Sequence, residues 1–448
     1  VGNFPSRKVK LHKRSRRLAL SGAAIELPPC AKPADLRQTR NMEKTIPKII
    51  SVDDHVVEPP DLWLERIPSK YHDRCPRVER DRAVFNFEGG VFSYEKGTPE
   101  GEWSDWWLYD DLVYPFPKLS AAIGFEPLTL TPVTFDEIRP GCWKQKERLE
   151  DMDANHVEVS ICFPNVLPRF CGQAFLERED KELALLCVKA YNDWMIEEWC
   201  AGIGQGRLIP LTIVPLWDAN LAAEEIHRCA NKGSYAISFS ENPYHLGLPS
   251  VHDPNRFWDP LFLACQETGT VINMHIGSSS KMPATSPDAP FAVSSTITFS
   301  NAMGSMCDFV LSGVFERFPG LKVAYSEGQV GWMPYVLERM DKLWEERIND
   351  DDGMFGVDLP EPPSSYVRNH VYGCMFDDEV GLRNRDIIGM DQITFEVDYP
   401  HADSTFPHTK KVATEIVTKA GLDDEEIYKL LRGNAIKLYG LERWGITH

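Results

Sequence analysis

Eight polar residues stand where apolar runs stop, and their types are those of a metal site. Asp53 and His55 lie two apart in KIISVDDHV, so in an extended chain their side chains share one face. Glu58 follows three residues later, just before Pro59 and Pro60. His275 closes TVINMH ahead of Ile276-Gly277-Ser278, and Glu327 closes LKVAYSE ahead of GQVG. The segment ITFEVDYPHAD carries Glu396 and Asp398 at i, i+2 spacing and His401 three residues further on. Carboxylates gathered in an apolar mouth repel one another and are pushed toward protonation, and a divalent cation removes both problems. Zinc with an activated water could use such a set. Many carboxylates with few imidazoles favour harder ions such as Fe(II) or Mn(II). Each signal also has a plain reading: Asp53 and Asp54 capping a turn, His275 as a satisfied core histidine, and His401 in a local network with Asp403 and His408.

The elements that must position these residues alternate. Short apolar runs at 48–56, 157–165, 206–215, 235–243, 270–280, 321–331 and 391–403 are separated by stretches of helical periodicity such as DKELALLCVKAYNDWMIEEW and NLAAEEIHRCA. This is the pattern of a parallel α/β fold. A doubly wound nucleotide fold would place a glycine-rich phosphate loop after an early strand, and no G-x-G-x-x-G occurs. Polar residues at the carboxyl ends of many strands instead predict a (β/α)8 TIM barrel. VRNHVYGCMF, around Val367–Phe376, is expected to supply a further strand. The sequence divides into a basic N-terminal extension at 1–46 and a barrel at 47–448. A long aromatic-rich insertion at 60–155 follows the first strand. There Trp103, Trp106, Trp107, Tyr109 and Tyr114 form either the core of a small subdomain or an apolar lid and substrate wall.

Composition narrows the function classes. At 448 residues and 43% hydrophobic content the chain can bury a large core, and a net charge of −19 argues against a protein built to coat nucleic acid. Eleven Lys or Arg against three acidic residues before residue 45 make a basic arm on an acidic body, equally suited to that body's own surface. Eleven cysteines without C-x-x-C spacing point to reduced thiols, and no run is long enough to span a membrane or serve as a signal peptide, so a cytoplasmic location is expected.

From SVDDHVVEPPDLW, RLEDMDANHVEVSICFPN, DPLFLACQETGTVINMHIG, ERFPGLKVAYSEGQVGWMPYVLERMD, FEVDYPHADSTFP and GNAIKLYG, the chain resembles the decarboxylase-like amidohydrolase 2 branch of the amidohydrolase superfamily. The resemblance runs from about residue 51 to 440 and implies a metal-dependent barrel, with homo-oligomerisation also expected of the family. It places Asp53 and His55 at the first-strand metal motif, His275 at the strand-five histidine and Asp398 at the terminal aspartate. The histidine expected next in hydrolytic and decarboxylating members has no counterpart, and Glu327 stands in its place.

That departure leads to the first reading, a nonheme diiron monooxygenase hydroxylating a bulky hydrophobic small molecule. Asp53, His55, Glu58, His275, Glu327 and Asp398 would hold two Fe ions, Glu396 or His401 would act as base or support, and an electron donor would be required. The alternative is one Zn or Mn catalysing hydrolysis or non-oxidative decarboxylation, with Glu327 as acid/base and Arg148 or Arg368 as carboxylate clamp. A third possibility is a non-catalytic binding protein on the same barrel.

Overall fold

The computed structural model describes residues 44–88, 91–126, 129–347 and 359–447; the expected basic extension lies outside them up to residue 43. The barrel opens with strand β1, Ile49–Val56, all eight residues of which are buried. Before the next barrel strand the chain builds an antiparallel sheet from β2 (Arg77–Glu88), β3 (Val91–Lys96), β4 (Glu102–Tyr109) and β5 (Leu112–Pro115), in the order β3-β2-β4-β5. The barrel resumes with β6 (Val157–Pro164), β7 (Leu208–Pro210) and β8 (Thr212–Ile213). It continues through β9 (Ala236–Ser238), β10 (Val271–His275), β11 (Val323–Ser326), β12 (Val371–Met375) and β13 (Ile393–Phe395). All pairings among these strands are parallel, in the orders β1-β6-β7 and β13-β12-β11-β10-β9-β8. β7 and β8 are two halves of one strand interrupted at Leu211, which pairs with β6 through its first half and β9 through its second. The fold is an α/β barrel of the TIM type.

Ring closure is made beyond β13, where the backbone amide of Asp398 donates to Asp53 O at 2.9 Å and that of His55 to Tyr399 O at 2.6 Å. The Ser51 hydroxyl also accepts from Val397 N at 3.0 Å. First and last strands are thereby locked together at the level of Asp53, His55 and Asp398.

A bulge in β1 decides which way its polar residues face. Ile50 and Val52 pack inside the barrel with Val159, Ile161, Leu211 and Val271, whereas Ile49 and Val56 pack outward against the helices. The β1–β6 register shifts between Ser51 and Asp54. A bulge changes the parity of alternation, so Asp53 and His55 point inward above the apolar plug rather than out with Ser51. The helix Asn434–Tyr439 closes the opposite end, with the Tyr439 hydroxyl donating to Asn273 Oδ1 at 2.6 Å inside the barrel.

The strand expected around Val367–Phe376 is present as β12, with a later start. The helix Pro363–His370 precedes β12, which starts only at Val371, so Arg368 belongs to the amino-terminal end of the barrel. In the antiparallel sheet Trp106, Trp107 and Tyr109 are fully buried, with Trp107 edge-on to Trp63 and Tyr109 against Phe175, while Trp103 is exposed beneath the Arg82 guanidinium. The described cysteines are all free thiols, and no described helix is long and apolar enough to cross a membrane.

Candidate metal centre

At the carboxyl ends of the strands, His55, His275, Glu327, Asp398 and His401 each bring one ligand atom to within 4.8 Å of the others. His55 Nε2 lies 3.1 Å from His275 Nε2, 3.5 Å from Asp398 Oδ1 and 3.6 Å from Asp53 Oδ1. His275 Nε2 is 3.6 Å from both Asp53 Oδ2 and Glu327 Oε2. Donors bound to one ion at about 2.1 Å are roughly 3 to 4 Å apart, which is the spacing observed. The rings are held by their other nitrogens. His55 Nδ1 donates to Pro164 O at 3.2 Å and His275 Nδ1 to Ile276 O at 2.6 Å. Those bonds leave each Nε2 with its lone pair, and two lone pairs 3.1 Å apart repel unless a cation lies between them. Both carboxylate oxygens of Asp53 are buried without a hydrogen-bond partner, as is Asp398 Oδ2. The donor set therefore fits a divalent ion.

Electrostatics agree. Burial, followed by repulsion from Glu396, Glu327 and Asp398, drives the Asp53 carboxyl well above its usual range. Asp398 rises well above it too, through burial and Glu327. Burial lowers both His55 and His275, favouring the neutral form that ligates, while Glu327 draws His275 back toward protonation. Glu327 goes the other way: burial opposes ionisation, but His275 and His401 outweigh it and bring the group to about 2. His401 is stacked on His55 at 3.8 Å and lies 3.0 Å from Asp398 Oδ1. It is disfavoured as a cation by burial but pushed up to about 10 by Asp398 and Glu327. Glu327 and Asp398 both adopt left-handed backbone, φ 55° and 57°, a conformation costly for side chains other than glycine that aims both carboxylates back over the barrel axis.

Of the residues expected at the site, Asp53, His55, His275, Glu327, Asp398 and His401 are brought together. Glu58 is not: its two oxygens accept from the backbone amides of Asn165 at 2.7 Å and Val166 at 3.0 Å, so it holds the loop after β6. Burial raises Glu58 to about 7. A carboxyl raised in the folded state contributes its full stability below the unfolded value of 4.5 and loses it as pH climbs through about 7. Glu58→Gln is therefore expected to flatten the pH dependence of thermal unfolding across that interval while leaving metal content unchanged, checked by melting curves and metal analysis.

Glu396 lies outside the five-donor group and clusters with Asp53 and Cys374 instead. It is fully buried, accepts from the Glu327 amide at 3.0 Å and from the Cys374 thiol, and burial lifts it to about 8. It supports the strained turn that presents Glu327. Arg148 is buried behind β1, donating to His55 O at 2.5 Å and Gly141 O at 2.7 Å, and Arg368 donates to Ile387 O at 3.4 Å at the far end, so neither is a clamp at the mouth.

Sequence reasoning missed three contributors. Asp54, taken as a turn cap, ties the barrel together by accepting from Tyr399 N at 3.0 Å and from the Ser160 hydroxyl. Phe170 stacks on His275 at 4.1 Å. Arg169 lines a cavity of about 520 Å³ above the donors, with Phe170, Asn165, Tyr114, Glu327 and His401. Nothing in PRF distinguishes these two from ordinary loop residues.

Comparison with known proteins supplies the family. The amidohydrolase family profile matches residues 104–441. Over 314 residues, the chain is 23% identical to 2-amino-3-carboxymuconate-6-semialdehyde decarboxylase of Dictyostelium discoideum, covering 69% of this chain and 80% of that protein. It is 24% identical over 345 residues to gamma-resorcylate decarboxylase of Rhodococcus jostii strain RHA1, covering 72% and 95%. The crystal structure of 5-carboxyvanillate decarboxylase from Novosphingobium aromaticivorans DSM 12444, with bound manganese, superposes with a TM-score of 0.57 at 16% identity, covering 88% and 97%. These relatives overturn the expectation of a diiron monooxygenase, and with it the reason for an electron donor. The carboxylate surplus that had suggested two irons is smaller than it looked, because both oxygens of Glu58 and one of Glu396 are engaged by backbone amides. The chain belongs to the amidohydrolase family and is a metal-dependent enzyme.

Proposed function

We propose that the protein is a non-oxidative decarboxylase of an aromatic or conjugated carboxylic acid, working with one Mn or Zn ion. The observation that carries the reading is the donor set: two imidazoles facing each other at 3.1 Å and flanked by Asp53, Glu327 and Asp398, a complement that suits one ion. The decarboxylase relatives support the reaction type, and the carboxylate-rich set favours manganese. The ion would supply a Lewis acid for substrate oxygens.

The chain's own residues do the rest. Arg169, with one guanidinium nitrogen on Glu177 and another on Ser280, offers a cation at the wall of the cavity for an anionic substrate. Phe170 gives an apolar face over His275, against which a carboxylate sheds water and carbon dioxide leaves easily. Breaking the bond to the carboxyl carbon leaves its electron pair on the ring or chain carbon, and a proton must be delivered there. His401 carries a proton beside the cavity and is placed to give it. The sheet between β1 and β6 contributes Tyr114 to the same cavity, and we read it as part of the substrate wall.

The test is anaerobic incubation of the manganese-loaded full chain with a panel of ortho-hydroxybenzoates and carboxymuconate-type acids, following carbon dioxide release and metal stoichiometry. Turnover without oxygen or reductant at one ion per chain is expected. Two ions per chain, or product formed only with oxygen, would refute the proposal. Arg169→Gln is expected to raise KM about tenfold with kcat nearly kept, since it removes binding energy remote from the bond that breaks.

A further inference from the structure

Beside the cavity that holds Arg169 lies a second one of about 550 Å³, and the two share Glu327 and Asp403. Its walls differ in kind. Phe299, Trp332 and Phe376 supply aromatic surface, Thr298 a hydroxyl, and Gln329 an amide. None of its lining residues is Lys, Arg or His, while Glu327, Asp377, Asp378 and Asp403 are all acidic. An anionic group meets no cation in this chamber, whereas the first one sets Arg169 and His401 beside its own Glu327, Asp398 and Asp403.

The chamber is built rather than incidental. Asp378 accepts from Val330 N, Gly331 N and Gly381 N at 2.8, 2.5 and 2.8 Å, fixing the turn after β11 to the turn after β12. The Trp332 indole N–H donates to Gly328 O at 2.8 Å, which sets the ring's orientation. Gln329 sits at φ 50°, and its amide oxygen is buried without a partner.

We infer that the substrate is two-ended: its carboxylate enters the Arg169 chamber, and a second, uncharged aromatic ring or arm occupies the Trp332 chamber. This rests on the decarboxylase reading for the carboxylate end only. A single-ring acid fills one chamber and leaves the other to water, so the second chamber contributes to selection by size and by charge.

The experiment is calorimetric titration of the manganese-loaded full chain with salicylate, 5-(4-hydroxyphenyl)salicylate and uncharged 4-phenylphenol. The two-ring acid is expected to bind about tenfold more tightly than salicylate. Trp332→Ala and, separately, Phe376→Ala should erase that advantage while leaving salicylate unchanged; Arg169→Gln should weaken both acids alike. Equal affinity of the two acids in the unmodified protein, or equal weakening of both by Trp332→Ala, would overturn the inference. If neither acid binds but 4-phenylphenol does so in a Trp332-dependent way, the chamber stands and the carboxylate reading fails. Binding of none of the three overturns both.

Discussion

Alanine at His275 is expected to empty the metal centre and lower turnover by at least about 10³-fold, while the folded protein becomes no less stable than the metal-free parent. His275 supplies one of two imidazole lone pairs at the centre, and its Nε2 lies within 3.6 Å of both Asp53 and Glu327. Removing it leaves three carboxylates with a single neutral ring, a poor cage for an ion at micromolar concentration. The stability half follows from the same geometry. Without the ion, His55 and His275 face each other with unshared pairs at 3.1 Å, and Asp53 and Asp398 repel Glu327 and Glu396 across a buried space. Deleting one partner relieves that conflict. Asp398→Asn should behave likewise, raising the melting temperature of the metal-free protein while abolishing the increase that manganese gives the parent. Metal analysis after dialysis and melting curves with and without manganese decide it. A His275→Ala protein that retains a full equivalent of metal would remove His275 from the site.

The barrel and most of this centre were legible because both rest on short-range patterns. A buried parallel strand is an unbroken apolar run, and a ligand at its carboxyl end is the polar residue where that run stops; His275, Glu327 and Asp398 each announce themselves so. What could not be read depends on relations between distant segments. Glu58 looks like a ligand until the loop after β6 arrives 107 residues later and brings Asn165 N to its carboxylate. Glu396 shares a strand direction with Asp398, yet the amide of Glu327, 69 residues earlier, claims one of its oxygens. Counting carboxylates in the sequence without their backbone partners produced the surplus that pointed to two irons. The facing of Asp53 and His55 was right in its i, i+2 logic, but the bulge that turns both inward depends on pairing with β6. Arg148 is the converse case: a buried arginine near the site that supports the His55 carbonyl instead of meeting a substrate. Its spacing in the sequence carries no sign of that choice.

His401 provides the second large effect, and it separates proton delivery from metal binding. In the proposed reaction the carbon that loses carbon dioxide must gain a proton, and His401 is the one imidazolium at the cavity wall, held protonated by Asp398 and Glu327 against the penalty of burial. His401→Asn keeps a polar group of similar reach but nothing to donate as an acid. The expected result is a fall in kcat of about 10² to 10⁴-fold with metal content kept and KM little changed. The pH profile carries the sign. A donor must be protonated to act, so the parent's kcat declines as pH rises through the pKa of His401, which is about 10 with the carboxylates fully available to it. Asp398 and Glu327 would hold that proton less firmly if they also held a divalent ion, which would bring the alkaline limb below this value and make the proton easier to give. The variant should lack the limb altogether, its residual rate running flat through that interval. Retained kcat with the limb intact would take proton delivery away from His401 and assign it to water. Loss of metal together with rate would instead make His401 a ligand.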